Sequence, residues 1–94
     1  MFNDIVQYIK NHIKESNKDI KLIDVTDYNG KKLEVVVSTD IHMASISVLP
    51  DYTYDFLAVE IENENIKLNV TKNCENLEKL KKEIEYDIIQ FSKL

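Results

Sequence analysis

The 94-residue chain contains no arginine and no tryptophan, and it has only one glycine, one proline and one cysteine. A single cysteine excludes an internal disulfide and favours a reducing compartment, so we expect a cytoplasmic protein. With glycine only at position 30 and proline only at position 50, most turns must be built from Asn and Asp. No apolar run approaches the roughly 20 residues of a membrane-spanning helix, and the first residues lack the pattern of a signal peptide.

Lysine is absent from residues 33–66, which contain seven acidic residues and carry the whole excess of the net charge of −5. The segments on either side each hold six lysines and five acidic residues. Without a basic stripe the chain has no means of replacing the counterions of phosphate groups, so we expect neither nucleic acid nor an anionic membrane as a partner. The partner that this charge favours is a basic protein.

Hydrophobic periodicity predicts a single α+β domain over residues 1–94. Apolar residues at helical spacing predict one helix from Phe2 to about Ser16, capped by Asn3 or a neighbour, and another that begins at Asn73 or Cys74. Apolar–polar alternation between them predicts five strands, at 20–28, 32–39, 42–49, 53–62 and 66–71, with a hairpin turn at Asn29-Gly30. Short connections favour an antiparallel meander, and two amphipathic helices on one face complete a two-layer domain.

The opposite face of this sheet is expected to be open to a partner. The alternation places Leu57, Val59 and Ile61 of the fourth strand inward, which turns Tyr54 and Phe56 outward. Aromatic side chains surrounded by acids are typical of the central contacts of protein interfaces. Two alternatives stay open: the aromatics form a second small core or pack on a loop or on another copy of the chain, or a slip of one residue exchanges the two faces. The candidate partner-binding residues are Glu34, Val36, Tyr52, Tyr54, Phe56, Glu60 and Glu62, with Ser38, Ser45 and Ser47 beside them.

Catalytic and metal-binding patterns are missing. The chain has no glycine-rich phosphate loop, HExxH, CxxC or EF-hand sequence. Cys74, His12 and His42 have no neighbours at the spacing of a nucleophile pair or a metal site, and Tyr8 four residues before His12 is typical of a helix surface. We therefore expect no enzyme, no metal and no cofactor. A small enzyme or ligand-binding domain, using paired acids such as those at 51 and 55 or at 60, 62 and 64, is the third hypothesis.

Two segments carry a family resemblance: ASISVLPDYTYDFLAVEIENENIKLNV at 44–70 and ENLEKLKKEIEYDIIQF at 75–91. A short strand before a turn, an acidic and aromatic strand, and a closing leucine-rich helix resemble the TriTu family of small immunity proteins of bacterial polymorphic toxin systems. The resemblance implies a non-enzymatic protein that binds and neutralises a cognate toxin in the cytoplasm. It assigns no individual residue. The alternative function is an acidic adaptor or secretion-chaperone-like module that forms a homodimer through the same face.

Overall fold

A computed structural model describes residues 1–94 and has the predicted order of helix, five strands and helix. The elements are α1 (Phe2–Glu15), β1 (Lys21–Asp27), β2 (Leu33–Ser38), β3 (His42–Val48), β4 (Thr53–Glu60), β5 (Ile66–Asn73) and α2 (Leu77–Ser92). The strands form one antiparallel sheet in the order β1-β2-β3-β4-β5, so the predicted meander is confirmed. Both helices pack on one face of this sheet, as the two-layer prediction requires.

The two helices begin in different ways from those predicted. Met1 occupies the N-cap position of α1 and no side chain caps this helix, so the expected cap at Asn3 is wrong. Helix α2 begins at Leu77, three or four residues later than predicted, because β5 continues to Asn73 and the Cys74 amide donates to the Tyr52 carbonyl at 3.0 Å. Asn76 then caps the helix, its side chain accepting a hydrogen bond from the Lys79 amide at 2.9 Å.

The predicted hairpin turn at Asn29-Gly30 is confirmed by its backbone geometry. Asn29 has a φ of 55° and Gly30 a φ of 74°, and a type I′ turn needs positive φ at both central residues. The other two residues with positive φ, Tyr52 and Glu64, lie in the β3–β4 and β4–β5 connections. Non-glycine residues therefore make these two turns, in a chain with a single glycine.

The core lies between the helices and three rows of side chains on the face of the sheet that they cover, which we call the covered face. Its middle row crosses all five strands and consists of Val25, Val35, Ile46, Phe56 and Val70. Ile5 and Ile9 of α1 and Leu80 and Ile84 of α2 are completely buried against this face. The side chains of β2 and β3 that are buried here are Leu33, Val35, Val37, Ala44, Ile46 and Val48, which leaves Glu34 and Val36 on the other face.

The prediction for β4 is wrong by one residue. Tyr54, Phe56 and Ala58 are completely buried on the covered face, whereas Leu57 is 39% exposed and Ile61 45% exposed. The pairing fixes this phase, because Tyr54 lies opposite Val48 and Phe56 opposite Ile46. An error of one residue reverses every side chain of a strand. Volume explains the choice: aromatic rings bury more apolar surface than aliphatic side chains, and Phe56 packs edge-on against Phe91, with centroids 6.2 Å apart.

Both edges of the sheet are irregular. Register shifts interrupt the pairing between Leu22 and Asp24 of β1 and opposite Ala58 and Val59 of β4, where β5 carries Lys67 as the extra residue. Bulges and charged residues on edge strands hinder pairing with a further strand. The uncovered face of the sheet is thus a better candidate for contact with another molecule than either edge.

Candidate binding surface

The face of the sheet that no helix covers, which we call the open face, has three rows of side chains that change from polar to apolar. The acidic row consists of Thr26, Glu34, Ser47, Asp55 and Thr71. The middle row of the open face consists of Asp24, Val36, Ser45, Leu57 and Asn69. The apolar row consists of Ser38, Met43, Val59 and Ile66, with Lys21 opposite Ser38 at its β1 end.

The apolar row leaves hydrophobic surface in contact with solvent. Met43 is 38% exposed and Ile66 63% exposed, and Leu57 of the middle row lies beside them. Ile41 and Ile61 continue this surface into the two adjacent turns, where the Ile61 amide donates to the Ile41 carbonyl at 2.8 Å. Contiguous exposed apolar surface of a few hundred Å² is typical of sites of protein interaction. Covering this end of the open face would therefore remove more apolar surface from water than covering the rest of it.

The acidic row holds carboxylates that the protein itself neutralises incompletely. Asp55 accepts a hydrogen bond of 2.6 Å from the Thr71 hydroxyl and forms no ion pair. Glu34 faces the Lys32 ammonium at 3.4 Å, and both side chains are partly exposed, a geometry that contributes little stability. Asp24 in the middle row also has no lysine partner. These carboxylates remain able to bind cationic groups from outside.

Further acids surround the apolar end of the open face. Asp40 lies in the β2–β3 turn, and Glu62 and Glu64 lie in the β4–β5 turn; all three are exposed and form no ion pair. Carboxylates around an apolar centre resemble the polar rim and apolar core of a protein interface. The electrostatic field of this end attracts a basic partner and repels an acidic one.

The structure brings only part of the predicted site together. Glu34 and Val36 lie on the open face as predicted. Tyr54 and Phe56 lie in the core, so their assignment to a binding surface is wrong. The predicted outward position of Glu60 is wrong too, because the pairing of Glu60 with His42 places it on the helix side of the sheet, where it faces Lys67 at 3.7 Å.

The two remaining predicted residues lie in turns at opposite ends of the sheet. Glu62 is exposed beside the apolar end of the open face. Tyr52 is half-buried in the β3–β4 turn and packs against the core cluster, with a φ of 66°. A bulky side chain at positive φ is uncommon, and the Cys74 amide holds the Tyr52 carbonyl in place. Tyr52 and Glu62 are thus too far apart along the strands to share one contact.

Sequence reasoning missed Leu57 and Ile66 as exposed apolar residues, the half-buried Val59 between them, and Asp55 as a carboxylate without an ion pair. One signal was available for β4. Placing Leu57 inward also places Asp55 inward, two residues earlier on the same side of the strand, and a buried carboxylate needs a partner. Placing Tyr54 and Phe56 inward buries no charge. No comparable signal was available for Ile66, because the bulge at Lys67 moves it to the open face, opposite Val59.

A buried polar contact joins the covered face to α2. The Tyr54 hydroxyl donates to Asp87 Oδ2 at 2.6 Å, and both residues are buried. Burial raises the pKa of the Asp87 carboxyl, although the hydrogen bond from Tyr54 acts in the opposite direction. Burial and this hydrogen bond also raise the pKa of the Tyr54 hydroxyl far above its usual value. The pair satisfies its own polar groups and fixes α2 over β4, which is a structural role.

The second polar contact lies between the helices near the surface. The Tyr8 hydroxyl donates to Glu85 Oε2 at 2.8 Å, and His12 Nε2 lies 3.8 Å from the same oxygen. Burial, together with the contact with Glu85, raises the pKa of Tyr8 to about 12. An open hollow of about 470 Å³ lies beside His12 and Glu85. The Tyr8 proton is donated to the Glu85 carboxylate, so this contact joins α1 to α2 near the surface.

Comparisons with known proteins leave the fold and the open face as the evidence for function. No family model, no curated protein and no solved structure matches this chain. No group of three or more His, Cys, Asp and Glu side chains is placed to hold a metal ion. Neither helix has the length and apolar content needed to cross a bilayer.

Proposed function

We propose that this chain is a non-enzymatic immunity protein that binds a cognate bacterial toxin domain in the cytoplasm and neutralises it. The observation that carries the proposal is the open face, where exposed aliphatic side chains lie beside two carboxylates without an ion pair, Asp24 and Asp55, and one in a surface ion pair, Glu34. Apolar contacts supply affinity, and complementary charge accelerates association and selects the partner. A basic toxin surface, such as one that binds nucleic acid, fits this combination.

Charge argues against the homodimeric alternative. A symmetric dimer formed through the open face sets the same surface against itself, so that Glu34 and Asp55 of one copy meet the acidic face of the other. Only Lys21 and Lys32 lie near that surface to offset the carboxylates. Like charges across an interface are unfavourable. A second copy is therefore a poorer occupant of this face than a basic protein.

The proposal is tested by capture followed by a growth assay. The chain, tagged at one end, is used to capture proteins from lysate of its source bacterium, and each captured protein is identified by mass spectrometry. Each is then expressed in a laboratory bacterium with and without the chain. We expect one captured protein to stop growth when expressed alone and co-expression of the chain to restore growth.

A matched pair of variants connects protection to the open face. Glu34→Gln/Asp55→Asn removes two charges from the acidic row, and Glu15→Gln/Glu78→Gln removes two exposed, unpaired charges from the helices. We expect the first variant to bind the toxin more slowly and with a weaker dependence on salt, and the second to behave as the wild type. Captured proteins that never inhibit growth, or capture of the chain by itself alone, would contradict the immunity function.

A further inference from the structure

The covered face shows how this sheet binds amphipathic helices. Helices α1 and α2 each place an apolar stripe on its rows and leave their charged sides in water. The open face repeats one part of that arrangement, the apolar row with Leu57 beside it, and leaves it uncovered. It differs in that carboxylates occupy the acidic row, where the covered face has Leu33, Val48 and Tyr54.

We propose that the open face receives an amphipathic, basic helix of the partner, with its apolar side chains on the apolar row and its cationic side chains over Glu34 and Asp55. This inference rests on the proposed function and specifies how the partner is recognised. The helix lies with one end over Met43 and Val59 and the other end over the acidic row.

Row spacing determines what such a helix must carry. Alternate residues of a strand lie about 6.7 Å apart, so the acidic and apolar rows are separated by about 13 Å. A helix advances about 10.5 Å in seven residues, which also returns a side chain to the same side of the helix. The length of an arginine or lysine side chain covers the remaining distance. The recognised segment therefore has a cation about seven residues from an aliphatic side chain on one helix face.

The acidic row has room for two separate cations. Glu34 on β2 and Asp55 on β4 are two strands apart, about 10 Å, with Ser47 between them. At that distance each carboxylate binds its own ammonium or guanidinium group, and at Glu34 the incoming cation shares or displaces the surface ion pair with Lys32. The Thr71 hydroxyl already holds one oxygen of Asp55, which fixes the orientation of that carboxylate before a partner arrives. Two charged contacts in one row favour a helix with two adjacent basic residues over one with a single cation.

The edges of the sheet are unsuitable for an extended segment. Adding a strand requires a regular row of free backbone groups, and β1 and β5 are each interrupted by a bulge. The charge of the face also decides between occupants, because an acidic helix or a second copy brings like charges against Asp55. A basic helix needs no free strand edge, and it brings cations rather than like charges to Asp55.

The test uses two synthetic peptides of 18 residues with identical composition, alanine-rich, each with two leucines and two arginines. In the first peptide the arginines follow the leucines by seven residues on the same helix face; in the second they lie on the opposite face. Each is titrated into isotopically labelled protein, at low salt and at 0.15 M salt, and backbone amide shifts are recorded. We expect the first peptide to bind about five- to tenfold more tightly, as two exposed ion pairs allow.

Shift changes are expected at Met43, Leu57 and Asp55 and not on the helices. Leu57→Ser should weaken binding of the first peptide at both salt concentrations, whereas Glu34→Gln/Asp55→Asn should remove most of the salt dependence. Glu15→Gln/Glu78→Gln serves as the control and should leave the affinity for the first peptide and its salt dependence unchanged. Equal affinity for the two peptides, shifts confined to the helices, or no binding of either peptide would overturn the inference.

The growth assay separates failure of this inference from failure of the proposed function. If Leu57→Ser and Glu34→Gln/Asp55→Asn protect cells as well as the wild type does, the binding mode is wrong and the immunity function stands. If the wild type protects against no captured protein, the immunity function fails, whatever the peptides show.

Discussion

The two faces of this sheet are built from alternate residues of the same strands, yet they differ in what their polar groups do. On the covered face the buried polar pair, Tyr54 and Asp87, satisfies its hydrogen bond inside the protein. On the open face Asp24 and Asp55 point to solvent without a cation. The comparison teaches that the two faces treat polar groups differently: one pairs them inside the protein, and the other leaves them in solvent beside exposed apolar side chains. That combination is the basis for proposing the open face as a binding surface.

The largest expected effect is the difference in stability between variants of two neighbouring residues that lie on opposite faces. Phe56→Ala should lower the free energy of unfolding by about 3–5 kcal/mol, because it opens a cavity next to Phe91. Leu57→Ala, one residue later, should cost less than about 1 kcal/mol, because its side chain is already partly in water. Urea titration of both variants measures the difference. Equal losses would show that the two faces are not divided as described.

Removal of a single hydroxyl from the core should have the next largest effect. Tyr54→Phe keeps the ring and deletes the donor to Asp87 Oδ2, leaving a buried carboxylate without its partner. We expect a loss of about 1–3 kcal/mol in the free energy of unfolding. Tyr8→Phe, which deletes the hydrogen bond of 2.8 Å to the partly exposed Glu85, is the matched control and should cost less. A larger loss for Tyr8→Phe than for Tyr54→Phe would show that the hydrogen bond between the two helices contributes more to stability than the one between β4 and α2.

The pH dependence of stability should report the burial of Asp87. Burial raises its pKa in the folded protein above the unfolded value, so the folded state holds this proton more tightly. The contribution of Asp87 to stability is therefore fully present below the unfolded pKa and is lost as the pH rises through the folded pKa. Relative to Asp87→Asn, the wild type should lose stability as the pH is raised above about 4.

Denaturant titrations of wild type and Asp87→Asn at several pH values give that difference directly. Asp55→Asn, at an exposed position of the open face, is the control. A wild type that gains stability relative to Asp87→Asn with rising pH would mean that the hydrogen bond from Tyr54 outweighs the cost of burial.

The smallest expected effect is on the stability of the open-face variant. Glu34→Gln/Asp55→Asn should change the free energy of unfolding by no more than about 0.5 kcal/mol, because Glu34 is in a surface ion pair and Asp55 is exposed. Its binding to a basic partner should change while its unfolding midpoint does not. A loss of several kcal/mol would assign these carboxylates to the structure of the sheet.

The architecture was predictable because several local features of the sequence each indicate one of its elements. Helical spacing in α1, period-two alternation in β2 and β3, and Asn29-Gly30 at the first turn are each local signals. The phase of β4 was less determined, because Tyr54, Phe56 and Ala58 compete with Leu57, Val59 and Ile61 and both sets are apolar. Packing against α2 decides between them, and that contact joins residues about 30 positions apart in sequence.

The candidate surface was predictable in charge and only partly in composition. The lysine-free stretch from 33 to 66 located the excess negative charge, and in the structure lysines of the flanking segments reach only Glu34 and Glu60 among its acids. The apolar contacts were assigned to the wrong side of β4, so the aromatic anchors of the prediction became core residues. The start of α2 was missed because the Asn73 and Cys74 backbone continues along β4, a long-range pairing that propensity does not reveal.

Because side chains of a strand alternate between the two faces, neighbouring positions differ in what a substitution changes. Substitutions at positions 34, 36, 45, 47, 55 and 57 alter what a partner meets and leave the packing beneath α1 and α2 untouched. Substitutions at 35, 37, 46 and 56 do the opposite. The surface of the open face can therefore vary in sequence while the covered face keeps the protein folded.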